Sequence, residues 1–314
     1  MALTKPLISI VIVNAPNRKK DLWRCLNSII HSDYPNWQII VVDNSDHAGF
    51  HHQIQTTFDL RRIKVIKMPY NTGLLGFNIG LANADGDYIM ILDDDAALRT
   101  DSLTNIIKLF NQLPRRVGVI SCPVFDHTSK SFHQPSNSSQ QHTFKSFAGA
   151  SVFKKQVFVQ IGFFEHRYFC WNYDDDYTFK LLQAKFKIFF PSKNQVLIDH
   201  YSKQHHFRQE QIFLQTRNKF WLNIKYFSWY ILPILIVRDL IFILLQPFRR
   251  RRLSALFYAL SGYLSGIYTC LPFLKERQVL PWSIQKTYLN SQILQDLSRL
   301  IHQLHLSKST SSDS

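Results

Sequence analysis

Short, β-branched apolar runs alternate with segments of helical period, and this constrains the chain more than any other feature. Leu7 to Val13 (LISIVIV), Gln38 to Val42 (QIIVV), Ile63 to Lys67, Tyr88 to Leu92 (YIMIL) and Val117 to Ser121 are the runs. Residues that are apolar at almost every position suit strands covered on both faces. Between them the period changes. Leu22, Cys25, Leu26, Ile29 and Ile30 follow i, i+3, i+4, i+7, i+8, one face of a helix that Tyr34-Pro35 ends. Asn71 to Gly80 is a glycine-containing turn running into a second helix, and Leu103, Ile106, Ile107 and Phe110 mark a third. Such alternation implies an α/β fold with a mainly parallel sheet and helices on both faces. Ligands of such sheets sit at the carboxyl ends of the strands.

Acidic and polar residues gather where those ends are expected. YIMIL runs directly into Asp93-Asp94-Asp95. Three adjacent carboxylates repel one another and are hard oxygen ligands suited to Mg²⁺ or Mn²⁺. A solvated acidic turn or a helix cap is the plainer alternative for such a triplet, but its position after a buried strand favours the metal. Asp43 follows QIIVV and is suited either to a base or ribose contact or to capping the Asp-Asn-Ser turn. In Asn71-x-Gly73-x-x-Gly76-x-Asn78 the glycines permit close backbone approach, and the helix start behind them favours phosphate. A second acidic cluster, Trp171 to Asp176 (WNYDDD), precedes a helical segment carrying Phe179, Leu181 and Leu182. It offers a general base, and equally a helix start stabilised by the macrodipole. Asp199-His200 follows another apolar run, where the histidine is a metal ligand or a structural residue. Asp126 to Thr143 is polar and rich in Ser, Gln and His, which reads as a mobile surface loop over the crevice.

Charge and hydropathy change in the last third. The chain carries +15 at pH 7, a balance that favours anionic partners. Tyr226 to Leu245 and Leu253 to Leu274 are apolar stretches, the first broken by Arg238-Asp239, and Arg249 to Arg252 lie between them. A charge at the centre of a spanning helix costs roughly 2.5–3.5 kcal/mol, so helices lying in a membrane interface, or a re-entrant pair, fit better than simple spans. The arginines suit an anionic cytoplasmic leaflet; a helical subdomain on the core, or an oligomer contact, is the alternative. No nucleic-acid motif accompanies the charge, so nucleic acid is not the expected partner. Four cysteines without a CxxC pair, and a start that lacks the regions of a signal peptide, point to a cytoplasmic catalytic portion. The expected division is a catalytic domain over 1–225, a basic, apolar helical appendage over 226–306 and a disordered tail over 307–314.

The ordered set of motifs resembles the family 2 glycosyltransferases. YPNWQIIVVDNSD, NTGLLGFNIGLANADGDYIMILDDDA and GASVFKKQVFVQIGFFEHRYFCW, followed by the acidic cluster, carry the resemblance over roughly Leu7 to Lys225. It implies the Rossmann-like GT-A fold of nucleotide-diphospho-sugar transferases and an inverting, metal-dependent transfer. Asn14, Asp43, Asn71, Gly73, Asn78, Asp93 and Asp94 would then line the donor site. Asp93, Asp95 and His200 would hold Mg²⁺ or Mn²⁺. Gly149 and Trp171 would border the sugar and acceptor, and Asp174 would be the base, with Asp175 the base if the register slips by one. Tyr173 stands where the family often has an acid, and Asn14-Ala15-Pro16-Asn17 replaces its usual turn. The apolar appendage resembles that of enzymes extending lipid-linked cell-surface polysaccharides, including rhamnosyl- and galactofuranosyltransferases. The implied donors are dTDP-rhamnose or a UDP-sugar, and the implied acceptor is a saccharide or lipid-linked saccharide. A Mg²⁺ phosphohydrolase with an aspartate nucleophile is the main rival, although Ala97 stands where it usually has Thr. A non-catalytic, membrane-associated module of the same fold is the other.

Overall fold

The computed structural model describes residues 5–44, 50–57, 61–132, 146–147, 149–201, 209–247 and 252–292. Its centre is a seven-stranded sheet built from β1 (Ile8–Asn14), β2 (Trp37–Asp43), β3 (Ile63–Lys67), β4 (Tyr88–Asp93), β6 (Val117–Ser121), β9 (Ala150–Lys154) and β10 (Lys187–Phe189). The order is β10-β6-β9-β4-β1-β2-β3. All expected strands are present, and β1, β2, β3 and β4 pair in parallel. The sheet departs from a purely parallel one at β9, which runs antiparallel to β4 and β6 between them.

Both faces of the sheet are covered, which is why its inner strands are mostly apolar, whereas the edge strands β3 and β10 carry exposed lysines. Ile8, Ile10, Ile12, Ile39, Val41, Met90 and Leu92 pack with residues of α1 (Lys19–Ile30) and α4 (Ser102–Gln112). The alternate residues Val11, Ile40, Val42, Ile89 and Ile91 pack on the other side, with Leu81 of α3 (Leu74–Ala82), Val157 of α5 (Lys155–Ile161) and Tyr177 of α6 (Tyr173–Gln183). The period-2 pleat divides each strand between the two layers. The short helix α2 (Phe50–Thr57) lies beside β3.

A smaller sheet sits at the carboxyl edge, with order β5-β11-β7-β8. Its strands are β5 (Ala96–Leu98), β7 (Val124–Asp126), β8 (Ser131–Phe132) and β11 (Ile198–His200). The polar segment expected to be a loop from Asp126 therefore begins as a β-hairpin, with Phe125 opposite Phe132 and their rings 5.2 Å apart. Aromatic pairing across the strands outweighs the polar composition there. The rest of that segment, 133–143, lies outside the described residues, as does the tail 307–314.

The last third is helical: α7 (Gln209–Tyr226), α8 (Leu232–Leu244), α9 (Ser254–Tyr268), α10 (Leu271–Lys275) and a final helical stretch from 282. Phe220, Trp221 and Tyr226 of α7 share one apolar cluster with Leu74, Tyr168 and Phe179 on one side and with Ala259, Tyr263, Phe273 and Tyr288 on the other. Among the described residues no helix is long and apolar enough to cross a membrane.

Candidate active site

Strand register aligns the polar ends of the sheet. Asn14 pairs with Asp43, Asp43 with Lys67, and Val13 with Asp93, so the carboxyl ends of four parallel strands form one edge. Asn14 donates its side-chain N–H to Asp43 Oδ1 at 3.0 Å, and Lys67 Nζ reaches Asp43 Oδ2 at 3.2 Å. Asp43 is fully buried, so these bonds compensate a charge removed from water. Asn71 Oδ1 accepts from Asn44 at 3.3 Å and from the Gly73 N–H at 3.1 Å, which folds the glycine turn onto this corner.

Asp93, Asp95 and His200 converge, with one ligand atom of each within 4.8 Å of the others. The small sheet explains how a residue so distant in sequence arrives. β11 pairs antiparallel with β5 so that His200 opposes Ala96, and the Tyr201 N–H bonds the Asp95 carbonyl at 3.0 Å. His200 Nε2 lies 2.8 Å from Asp95 Oδ1. Arg18, just before α1, pairs with Asp95 and with Asp94 Oδ1, the latter at 2.9 Å. Asp94 Oδ2 also accepts the Ala15 N–H at 2.8 Å, which ties the triplet to the turn after β1.

These carboxyls are not electrostatically equivalent. Burial, followed by the charge of Asp95, pushes Asp93 up to about 7. Burial likewise pushes Asp94 up to about 6, against the pull of Arg18 and the Ala15 N–H. Burial acts on Asp95 in the same direction, but the His200 hydrogen bond and Arg18 outweigh it and hold Asp95 below the usual carboxylate range. Two hard carboxylates and an imidazole gathered this closely fit a divalent ion such as Mn²⁺ or Mg²⁺.

The second acidic cluster faces the same space. Because β9 is antiparallel, its first residues lie at the carboxyl edge, and Ala150 pairs with Leu92. Gly149 therefore meets Asp93: a Cβ there would lie 2.2 Å from Asp93 Oδ2. Three residues earlier, Ser146 Oγ donates to Asp174 Oδ2 at 3.1 Å. Three residues of chain reach at most ~11 Å, so one short segment touches both acids. The Tyr173 hydroxyl, raised well above its usual value chiefly by burial, also feels the charges of both Asp93 and Asp174. Asp174, Asp175 and Asp176 occupy the first turn of α6, where the helix dipole favours negative charge.

The three aspartates differ in their surroundings. Burial, with the neighbouring Asp175 charge, pushes Asp174 up to about 7 while Ser146 pulls it down. Burial also raises Asp175, opposed by Lys219, Ser146, Asn172 and Tyr288. Asp176 is fully buried and bonded to Lys225 Nζ at 2.9 Å and the Tyr226 hydroxyl at 2.9 Å, which makes it the anchor of α6 on α7.

The loop leading into α6 is strained. Phe169, Trp171 and Asn172 have φ of 61°, 56° and 59°, left-handed values that side chains disfavour. Asn218 of α7 holds the loop there, its side-chain amide donating to the carbonyls of Tyr168, Cys170 and Trp171 at 2.9, 2.6 and 3.1 Å. Gly73, at φ +54°, abuts this loop: a Cβ would lie 2.3 Å from the Phe169 carbonyl oxygen. The glycine turn and the acidic loop are therefore in contact.

Of the residues expected from sequence, Asn14, Asp43, Asn71 and Gly73 gather at one corner, and Asp93, Asp95, His200 and Gly149 meet beside them. Asp174 is linked to that group through Ser146, three residues before Gly149, and Trp171 is half-buried in the strained loop. Asn78 is employed differently. Its amide donates to the Phe164 carbonyl at 2.8 Å and accepts the Phe164 N–H at 3.1 Å, so it fastens α3 to the segment before the loop. Arg18, Ser146, Lys219 and Asn218 belong to the site and were not singled out from sequence. No local signal marks Lys219 and Asn218, because α7 is rich in polar residues along its whole length.

The sequence profile described as "Glycosyl transferase family 2" matches residues 10–169, just over half of the chain. Among curated proteins, the putative teichuronic acid biosynthesis glycosyltransferase TuaG of Bacillus subtilis is 30% identical over 101 residues, 32% of this chain and 40% of that protein. The putative colanic acid biosynthesis glycosyl transferase WcaA of Escherichia coli is 34% identical over 92 residues, 29% of this chain and 33% of that protein. The matched segments thus span well under half the length of these relatives. Among solved structures, the mannosyltransferase PcManGT of Pyrobaculum calidifontis, in complex with GDP-Man and Mn²⁺, superposes with a TM-score of 0.56 at 15% identity, covering 85% of this chain and 88% of that one. Residues 1–349 of Staphylococcus aureus TarS with UDP-GlcNAc give a TM-score of 0.53 at 15% identity, covering 67% and 64%. At such identities the likeness establishes the GT-A-like fold alone. With the family profile lying over the strand ends that carry Asn14, Asp43, Asp93 and Asp95, the chain belongs to glycosyl transferase family 2.

Proposed function

We propose that the chain transfers a sugar from a nucleotide-sugar to a hydroxyl of a saccharide or lipid-linked saccharide, with inversion at the anomeric carbon. The observation that carries this reading is the meeting of two acidic groups at one sheet edge: Asp93, Asp95 and His200 on one side, and Asp174 on the other, with Ser146 and Gly149 three residues apart between them. Asn14, Asp43 and Asn71 offer polar contacts to a nucleoside at the adjoining corner. Asp93, Asp95 and His200 would hold Mg²⁺ or Mn²⁺, which when bound stabilises negative charge on a departing nucleoside diphosphate. Gly149 leaves room beside the Asp93 carboxylate. Trp171 offers a ring for a sugar to stack on.

Asp174 is the base in this reading. Its carboxylate takes the acceptor hydroxyl's proton as that oxygen forms a bond to the anomeric carbon, and the bond from that carbon to the diphosphate oxygen breaks on the opposite face. Ser146 orients the carboxylate. A value pushed up to about 7 suits a group that must accept a proton near neutrality. Asp175 is the less favoured base, because Lys219 and Tyr288 engage it from the helical side. The reaction is assigned to the cytoplasmic side of a membrane, on the strength of the basic run beside apolar helices.

The test is a screen of nucleotide-sugars, dTDP-rhamnose first, then UDP-hexoses and UDP-galactofuranose, for metal-dependent donor turnover. Asp174→Asn is expected to slow turnover by about 10²–10⁴-fold, and Asp175→Asn by less. Unchanged transfer in Asp174→Asn would move the base elsewhere; silence of both substitutions would favour a non-catalytic module. Release of orthophosphate from phosphomonoesters without nucleotide-sugar turnover would favour the hydrolase.

A further inference from the structure

Helices α8 and α9 each bury one face on α7 and its neighbours and expose an opposite face that is also apolar. In α8 the buried side carries Leu232, Leu235, Asp239 and Ile243. Half a turn away Ile234 (61% exposed), Val237, Ile241 (54%) and Leu244 (61%) form a stripe at i, i+3, i+7 and i+10. In α9 the small residues Ala255, Ala259, Gly262 and Gly266 face inward. The opposite side carries Phe257 (67%), Leu260, Leu264 (64%) and Ile267, again at i, i+3, i+7 and i+10. A helix that is apolar all round, yet packed on one side only, leaves its outer face for a solvent other than water.

Charge and aromatic residues identify the solvent. Between residues 227 and 282 there are seven basic and two acidic residues. Both acids are paired within the fold, Asp239 with Arg238, while also accepting a hydrogen bond from the Asn223 amide, and Glu276 with Arg167. The surplus is positive, and Arg249 to Arg252 lie in sequence directly between the two helices. At the start of α8, Trp229 and Tyr230 are exposed. Arg277 stacks over Trp229 at 4.1 Å, and Trp282 lies 6.2 Å from the Tyr230 ring. Trp, Tyr and Arg together suit the headgroup level of a bilayer. The helices of 13 and 15 residues are about 20 and 22 Å long, too short for a hydrocarbon core of about 30 Å. A second copy of the chain would bring the same positive surplus against itself.

We propose that the outer faces of α8 and α9 form a monotopic docking surface for an anionic lipid bilayer, lying in the interface with Trp229, Tyr230 and Trp282 at its edge. The surface needs neither donor nor metal, so it stands or falls apart from the catalytic reading. The test is flotation of the full chain with vesicles of phosphatidylcholine alone and of phosphatidylcholine with phosphatidylglycerol. Wild type is expected to float with the anionic vesicles at least roughly tenfold more strongly than with the neutral ones. Replacing Ile241, Phe257 and Leu264 together by Glu is expected to abolish flotation while leaving the circular dichroism and the cooperative thermal transition intact. Replacing Arg249 to Arg252 together by Gln is expected to remove the preference for phosphatidylglycerol. Wild type that stays at the bottom of both gradients would overturn the proposal. So would a wild-type dimer that the Glu variant converts to monomer, which would assign the face to a second copy.

Discussion

Asp93 and Gly149 illustrate how closely this site is fitted at the level of single atoms. Because a Cβ at 149 would lie 2.2 Å from Asp93 Oδ2, Gly149→Ala must displace the carboxylate or the strand. We expect this variant to fold, to lose its Mn²⁺-induced rise in thermal midpoint, and to lose donor turnover by at least ~10²-fold; a variant that keeps both would detach Gly149 from the metal group. With Asp174 as the proposed base, its titration would set the pH response. Its carboxyl is pushed up to about 7, and only the ionised form accepts a proton, so kcat/KM should rise with pH through that value and level off above it. Asp174→Asn should remove that limb from the residual activity. The raised carboxyls also act on stability. Asp93 and Asp174 bind protons more tightly when folded, both at about 7 against a usual carboxylate value near 3.8. Their linkage therefore favours the folded state below the unfolded value, and the advantage is lost as pH rises from about 4 through 7. Thermal midpoints of the metal-free protein should fall over that window, and added Mn²⁺ should offset the loss at the upper end.

Helix α7 joins the catalytic edge to the helical third. Its Lys225 and the Asp176 carboxylate are both buried, 2.9 Å apart. Lys225→Met would leave that carboxylate without its main cation, at a cost of about 3–5 kcal/mol, measurable by denaturant unfolding. Asn218→Ala removes a donor shared by three carbonyls and should cost about 1–3 kcal/mol. Because those carbonyls fix the strained turn before α6, we expect kcat to fall more than KM rises; a change in stability with kinetics untouched would make Asn218 structural only. Legibility followed the same division. The parallel strands and their acidic ends were readable because each is a local pattern: YIMIL followed by three aspartates needs no partner to be recognised. The antiparallel β9, the small sheet and the hairpin at Asp126 were not readable, since they depend on pairings between distant segments. Asn78 looked like a donor-site residue within its motif, yet its amide is used on Phe164, 86 residues away. Arg18, Ser146 and Asn218 were missed because their partners are set by topology rather than spacing.

Across the whole molecule, the sheet edge, the acidic loop and α7 form one continuous construction. The apolar cluster that seats α6 also seats α9 and α10, so the helix that begins with Asp174 and the helices with exposed apolar faces are packed as a unit. Substitutions confined to the outer faces of α8 and α9 should leave soluble donor turnover within about twofold, the range of surface changes away from such features. In the proposed reaction Asp93, Asp95 and His200 would hold a divalent ion that offsets the charge of a sugar donor's diphosphate, with Asp174 as the base. Release of nucleoside diphosphate from a nucleotide-sugar, measured with and without Mn²⁺ in wild type, Asp95→Asn and Asp174→Asn, tests it most directly. Expected are Mn²⁺-dependent release by wild type and a loss of at least ~10²-fold in each variant, with Asp174→Asn alone retaining Mn²⁺-dependent donor binding. Release that is independent of divalent ions, or unchanged in both variants, would contradict it.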